Sequence, residues 1–234
     1  MAEPAAHPLS GPVEDYLKAI YDLERVGEPA ATNDIADRLA ISPASVSGMV
    51  RRLADQGLIT HEPYRGVRLT TDGRAAALRT LRRHRILECY LTEVLGYPWD
   101  RVHDEAERLE HAASEELIER MAGALGDPVH DPHGAPIPTR DGRVEEIALR
   151  PLSAIGAGER VCVRQVGDDD AERLRYLAEL GIRPGAVVRI LDRAPFDGPI
   201  TLWIDAAGGG AARAIGVALA AEVLVEEVLR ERDP

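Results

Sequence analysis

TNDIADRLAISPASVSGMVRRLADQG, residues Thr32–Gly57, is the stretch whose reading decides the fold. Thr32 or Asn33 can cap a helix over Asp34–Leu39, because a short side-chain oxygen accepts from the open N–H groups of the first turn. After Ala40-Ile41, Ser42-Pro43 supplies a second cap and a proline at the first helical position, where its missing N–H does no harm. Val46, Val50 and Leu53 then share one face of a helix that ends near Gly57. Two short helices joined by a tight turn form a helix-turn-helix. The opposite face of the second carries Ala44, Ser45, Ser47, Gly48, Arg51 and Arg52. Small residues there let base edges approach, and the arginines reach phosphates. With Thr32 and Ser42 at the helix starts, these are the candidate DNA contacts.

Outward from this unit, Leu58–His61 and Val67–Thr70 are β-prone runs on either side of Pro63-Tyr64-Arg65-Gly66. They predict a hairpin placed as a wing, with Arg65 at its tip. An ordinary helical hairpin is the competing reading; the wing favours double-stranded DNA. The net charge of −12 argues against nucleic acid until it is divided. Residues 1–83 carry 11 Lys/Arg and 11 Asp/Glu, so the whole deficit falls on residues 84–234. From Arg38 to Arg83 there are nine Arg against Asp55, Glu62 and Asp72, the footprint expected of phosphate binding.

Before the helix-turn-helix, Gly11-Pro12 starts a helix in which Val13, Leu17, Ile20 and Tyr21 keep helical spacing and Asp15 lies in the first turn. After the wing, Thr71-Asp72 opens a long helix to Leu95, closed by Gly96, with His84 and Glu88 four residues apart on one face. A helix over Trp99–Ala112 and another over Glu115–Leu125, capped by Ser114, complete a helical, dimerising region. At about 100° per residue, Val102, Ala106, Leu109 and Ala113 form the apolar stripe of the first of these, and His103, Glu107, Glu110 and His111 the arc beside it. A solvated charged face is the plain reading. Half-buried donors need a partner, and a divalent cation is the candidate.

The C-terminal part changes character. Arg160–Gln165, Val187–Asp192, Ile200–Asp205 and Ala214–Leu219 read as strands, with one helix at Ala171–Leu180, which predicts a small β-barrel. The class is mainly α with a small all-β domain, divided as 1–76, 77–144 and 145–234. No apolar run approaches the roughly 20 residues that span a bilayer, and no signal peptide is visible. Cys89 and Cys162 lack partners at metal-finger spacing, so free thiols in a reducing cytoplasm are expected.

VEDYLKAIYDLE (13–24), LTTDGRAAA (69–77), RRHRILE (82–88), VHDEAERLEH (102–111) and DPHGAPIP (131–138) resemble, in this order, the diphtheria-toxin-repressor family of metal-activated bacterial transcription regulators. LAELGIRPGAVVRI (177–190) resembles the SH3-like domain of its longer members, shared with ferrous-transport accessory proteins. The resemblance implies a winged helix-turn-helix, a helical metal-binding and dimerisation domain, and an SH3-like domain. It implies a repressor rather than an enzyme, acting on a palindromic operator as a homodimer, with one or two dimers per operator and no membrane or small organic substrate. It maps a primary metal site onto Asp15, Glu107, Glu110 and His111, and an ancillary site onto His84, Glu88 and His103. Asp170, or else Glu172, is the expected ligand from the SH3-like domain. The iron-sensing branch usually has Met and Cys where this chain has Asp15 and Glu107. An oxygen-rich set with one imidazole suits Mn(II). Mn(II) is therefore the expected cofactor and manganese-uptake genes the expected targets, with Fe(II) as the rival and other divalent metals as substitutes in vitro. Lys18 stands where short manganese regulators have Glu, which points to two separate mononuclear sites. A metallohydrolase is a distant alternative, lacking His-Glu-x-x-His; a metal-blind winged-helix regulator is another.

Overall fold

Gly11 and Pro12 begin the first helix, α1 (Gly11–Glu24), which buries Val13, Tyr16, Leu17, Ala19, Ile20 and Tyr21. The structure, a computed structural model, describes residues 9–25, 29–62, 65–145, 147–205 and 209–228. Disorder is expected over residues 1–11, of which 1–8 lie outside the described residues and Gly11 already belongs to α1; Val26-Gly27, where the helical pattern of α1 runs out, and Pro63-Tyr64 of the wing turn also lie outside them. The backbone divides into two units: Met1–His84 with Glu107–Ile118 and Pro138–Arg143, and Arg85–Ala106 with Glu119–Ile137 and Val144–Pro234.

In the first unit, α2 (Thr32–Arg38) and α3 (Pro43–Asp55) form the helix-turn-helix, and β1 (Ile59–Glu62) pairs antiparallel with β2 (Gly66–Leu69) as the wing. Ser42 caps α3 by accepting from Ser45 N at 3.2 Å. The expected Thr32 or Asn33 cap on α2 is corrected: the helix begins at Thr32, and its cap position, Ala31, makes no side-chain bond. Thr70 closes the wing and opens α4 (Thr71–Glu93), donating to Gly57 O at 2.7 Å and accepting from Gly73 N at 3.1 Å. Gly73 is required there, since a Cβ would sit 1.9 Å from Leu58 O. Glu24, at the end of α1, accepts from Leu69 N of the wing at 2.7 Å and pairs with Arg74 of α4 at 2.6 Å.

Helix α5 (Val102–Glu110) is shorter than expected, and its inner face differs. Val102, Ala106 and Glu110 are fully buried, whereas Leu109 is 37% exposed. A one-residue shift thus puts a carboxylate where hydropathy put a leucine. Helix α6 (Glu115–Ala124) follows, with Ser114 Oγ accepting from Leu117 N.

The second unit is built on a six-stranded antiparallel sheet. Its strands are β3 (Arg150–Pro151), β4 (Arg160–Val166), β5 (Val187–Arg193), β6 (Ile200–Ile204), β7 (Ala211–Ile215) and β8 (Val223–Glu227), in the order β3-β8-β4-β5-β6-β7. Irregular registers at Val163/Gln165 and Ile190/Asp192 bend β4 and β5. The sheet, α7 (Ala171–Leu180) and Trp99 enclose one core that includes Val161, Val163, Leu174, Leu177, Ile190 and Leu202. The strand expected over Ala214–Leu219 is corrected. The chain breaks at Gly216, the cap of α8 (Val217–Ala221), and the last strand is β8. The run VALAA has no polar alternation to hold it in a sheet, while Val223 and Val225 alternate inward.

Candidate metal centre

The first-unit cluster joins one end of α1 to the end of α5. His111 Nε2 lies 2.8 Å from Asp15 Oδ1 and 3.6 Å from Glu110 Oε1. Asp15, Glu110 and His111 each place a donor atom within 4.8 Å of the others. Glu14 holds the other side of the ring, its Oε2 being 2.7 Å from His111 Nδ1, and is itself paired with Arg83. A carboxylate at each nitrogen favours the protonated ring. Burial would lower the His111 pKa, but the Glu14 hydrogen bond and the charges of Asp15 and Glu110 outweigh it and hold the ring above the usual histidine range. Burial pushes the Asp15 carboxyl up, and His111 and Lys18 only partly offset this.

Glu107, the fourth expected ligand, faces a different cation. Lys18 Nζ lies 2.6 Å from Glu107 Oε1 and 2.7 Å from Glu110 Oε1. His84 Nδ1 lies 2.6 Å from Glu110 Oε2, so His84, Glu107 and Glu110 form a second donor group with an ammonium bound to it. Burial alone would raise the Glu110 pKa, yet His84 and Lys18 hold it below the usual carboxylate range. The Lys18 ammonium is stabilised above the usual lysine range, Glu110 and Glu107 outweighing its burial.

In the second unit, His103 Nδ1 lies 3.5 Å from Glu88 Oε1 and 3.7 Å from Asp168 Oδ2. His84 precedes Glu88 by one helical turn of α4. Asp170 is corrected: its Oδ1 accepts from Glu172 N at 2.8 Å and Arg173 N at 3.1 Å, so it is the exposed cap of α7. The aspartate beside His103 is Asp168. An Asp immediately before AERL is a capping signal, and that signal was present in the sequence. Glu172 is exposed in the first turn of α7. Glu14, Asp131 and His133 carried no sequence signal beyond their motifs. Asp131 joins Glu88, His133 and Asp168 in another donor group, and burial with the Glu88 charge pushes its pKa up to about 6.

On α3, Ala44, Ser45, Ser47, Gly48, Arg51 and Arg52 are all exposed, as is Arg65 on the wing. The Ser42 hydroxyl is used as a cap, Ser47 Oγ donates to Pro43 O at 3.0 Å, and a Cβ at Gly48 would meet nothing within 4 Å. Thr32 is half-buried in the first turn of α2.

The donors of Asp15, Glu110 and His111 fit a hard divalent cation: two carboxylates, one imidazole, no sulfur. Asp15 Oδ1 is buried, with His111 Nε2 2.8 Å away but off hydrogen-bond alignment, a place that a cation can take over. Residues 8–67 match the family described as iron dependent repressor, N-terminal DNA binding domain; residues 70–139 match its metal binding and dimerisation domain; residues 150–227 match the FeoA domain. The chain is 36% identical over 189 residues to the iron-dependent repressor IdeR of Mycobacterium leprae, covering 76% of this chain and 82% of that one. It is 34% identical over 203 residues to the diphtheria toxin repressor of Corynebacterium diphtheriae, covering 81% and 87%. A solved manganese-dependent transcriptional repressor in complex with manganese superposes with a TM-score of 0.87 at 41% identity, over 92% of this chain and 100% of that one. The chain therefore belongs to the iron-dependent repressor family, as a metal-dependent transcriptional repressor and not an enzyme.

Proposed function

We propose that this repressor is activated by Mn(II) and binds a palindromic operator as a homodimer, in the cytoplasm, to shut off manganese uptake. The observation that carries the metal assignment is the donor set itself. Asp15 and Glu107 are carboxylates, and neither Cys89 nor Cys162 belongs to a donor group among the described residues. Oxygen donors with one imidazole favour Mn(II) over softer ions. Asp15, Glu107, Glu110 and His111 would hold the primary ion, with His84, Glu88, His103 and Asp168 as the ancillary set.

A bound divalent cation supplies the charge that lets the carboxylates of Asp15 and Glu110 approach without His111 being protonated. The chain does the rest. Asp15 belongs to the helix preceding the DNA-reading pair, so holding α1 against α5 fixes the attitude of α3 and the wing. Two recognition helices so fixed match successive major grooves. In this reading residues 1–76 read DNA, 77–144 hold metal and dimerise, and 145–234 add the SH3-like domain. Leu109 and Leu117, 37% and 43% exposed, support a partner on the helical face. Operator length sets whether one dimer or two bind, and sedimentation of the DNA complex counts them.

Iron is the second reading, favoured by the iron-dependent relatives. Anaerobic titration of Mn(II) and of Fe(II) into protein with operator DNA separates the two. Tighter activation by Fe(II) overturns the manganese assignment, and equal binding without metal overturns metal activation.

A further inference from the structure

His111 is the first residue beyond α5, in a turn, so that helix does not dictate the direction of its ring. The first turn of α1 does. Gly11 opens that helix, and a Cβ there would stand 3.2 Å from both Cγ and Cδ2 of His111, tighter than ordinary contact. Only a bare α-carbon lets the helix lie this close to the ring. One turn on, two consecutive residues take the two ring nitrogens between them. Glu14 Oε2 is 2.7 Å from Nδ1, and Asp15 Oδ1 is 2.8 Å from Nε2.

The two carboxylates are not equivalent. Glu14 has both oxygens committed: Oε1 accepts from Arg83 Nη2, and Oε2 faces the ring. The Glu14 and Arg83 side chains are 11% and 12% exposed. Arg83 is held in its turn by Thr80 Oγ1 at 3.2 Å and Glu115 Oε1 at 3.5 Å. The donor group of Asp15, Glu110 and His111 does not include Glu14, which stands behind the ring. A carboxylate fixed there only accepts, so it keeps a hydrogen on Nδ1. In the neutral ring the lone pair is then on Nε2, the nitrogen turned toward Asp15 and Glu110.

We infer that Glu14 and Gly11 are positioning residues for the primary ion. Glu14, anchored by Arg83, selects the His111 tautomer that binds through Nε2, and Gly11 leaves the ring room to turn that way. Neither is itself a ligand. A partner that orients a ligand in this manner changes metal affinity by about 10–100-fold. The inference rests on the metal-dependent reading above.

The test titrates the metal-free full chain with MnCl2 and records nitrogen NMR of isotopically labelled histidine on the Cd(II)-loaded protein. Glu14→Met removes the acceptor at similar volume. Wild type is expected to couple cadmium to His111 Nε2 and to keep a hydrogen on Nδ1. In Glu14→Met that pattern is expected to mix with its mirror image, and Mn(II) binding to weaken by about 10–100-fold. Gly11→Ala should weaken Mn(II) binding by about tenfold without lowering the apo melting temperature, because alanine suits a helix at least as well as glycine. A purely structural role for Gly11 would not separate the two readings. An unchanged affinity or an unchanged nitrogen pattern in Glu14→Met overturns the inference, as does cadmium coupled to Nδ1 in wild type. If Glu14→Met does not fold by circular dichroism, Gly11→Ala decides it, and an affinity equal to that of wild type overturns the inference. These results leave the metal-dependent reading standing; a wild-type chain that takes up no Mn(II) overturns that reading as well.

Discussion

Replacing Lys18 with methionine removes an internal cation without opening a large void. The Lys18 side chain is 14% exposed and bridges Glu107, 42% exposed, and Glu110, 0% exposed. The Glu107 contact is half in solvent and contributes about 0–1 kcal/mol. The Glu110 contact is the larger one, because removing one partner of a buried pair costs about 3–5 kcal/mol. Glu110 keeps His84 at 2.6 Å, which puts the expected loss near the lower bound, about 3 kcal/mol. For a chain of this size that lowers the apo melting temperature by about 6–12 °C. The sign with pH is fixed by the two shifts. Glu110 titrates below its ordinary range, so its contribution is lost only as pH falls through that lowered value. Lys18 titrates above its ordinary range, so its contribution is lost only as pH rises through that raised value. Neither of these two groups titrates between pH 6 and pH 9, so a change in the Lys18→Met loss across that range comes from His111, whose pKa is raised and whose ring lies 3.6 Å from Glu110. The substitution also removes the ammonium from the His84, Glu107 and Glu110 donor group, so saturating Mn(II) should restore more stability to the variant than to wild type. Calorimetry of both proteins with and without Mn(II) measures each term. A variant within about 0.5 kcal/mol of wild type in the apo state, as for an ordinary surface change, refutes the reasoning.

Asp15→Ala should abolish Mn(II)-dependent operator binding with helix content unchanged by circular dichroism; an undiminished metal response would show that α1 holds no ligand. Burial, with Asp131 and Glu88 nearby, pushes the Cys89 thiol far above its ordinary pKa, so at pH 8 a disulfide reagent should modify only the half-buried Cys162 of the folded chain, and rapid double modification contradicts this. Arg51→Ala and Arg65→Ala should each weaken operator binding and reduce its salt slope by about 1, as lost phosphate contacts do; an unchanged slope in fluorescence anisotropy would move the interface elsewhere.

The legible parts of the fold were those in which neighbouring residues settle the conformation. Ser42-Pro43 starts α3, Thr71-Asp72 starts α4, and Ala171–Leu180 is a helix in both sequence and structure. Period alone misplaced the inner face of α5. Leu109 outranks Glu110 in hydropathy, but Glu110 can be buried because Lys18 and His84 reach it from 92 and 26 residues away. The site was legible in the same partial way: Asp15, Glu110 and His111 assemble, while Glu107 is held by Lys18. Asp168 was passed over for Asp170 because three successive aspartates look alike until the helix they precede claims one. His133, set among Pro and Gly, resembles a solvated loop residue; only the Trp99 carbonyl and the nearby strand turn it inward.

Glu24 gives α1 a second function. The helix carries Asp15 near its start and ends on a residue bonded to both Leu69 of β2 and Arg74 of α4. Nine residues of α-helix span about 14 Å and bend little. A tilt of a few degrees imposed at Asp15 arrives at Glu24 as a sideways movement of the wing strand, as a lever delivers at one arm what is pressed on the other. Lengthening α1 by a single residue between these points would rotate Glu24 by about 100° off its partners, uncoupling the two arms while leaving every proposed ligand and DNA contact in the chain.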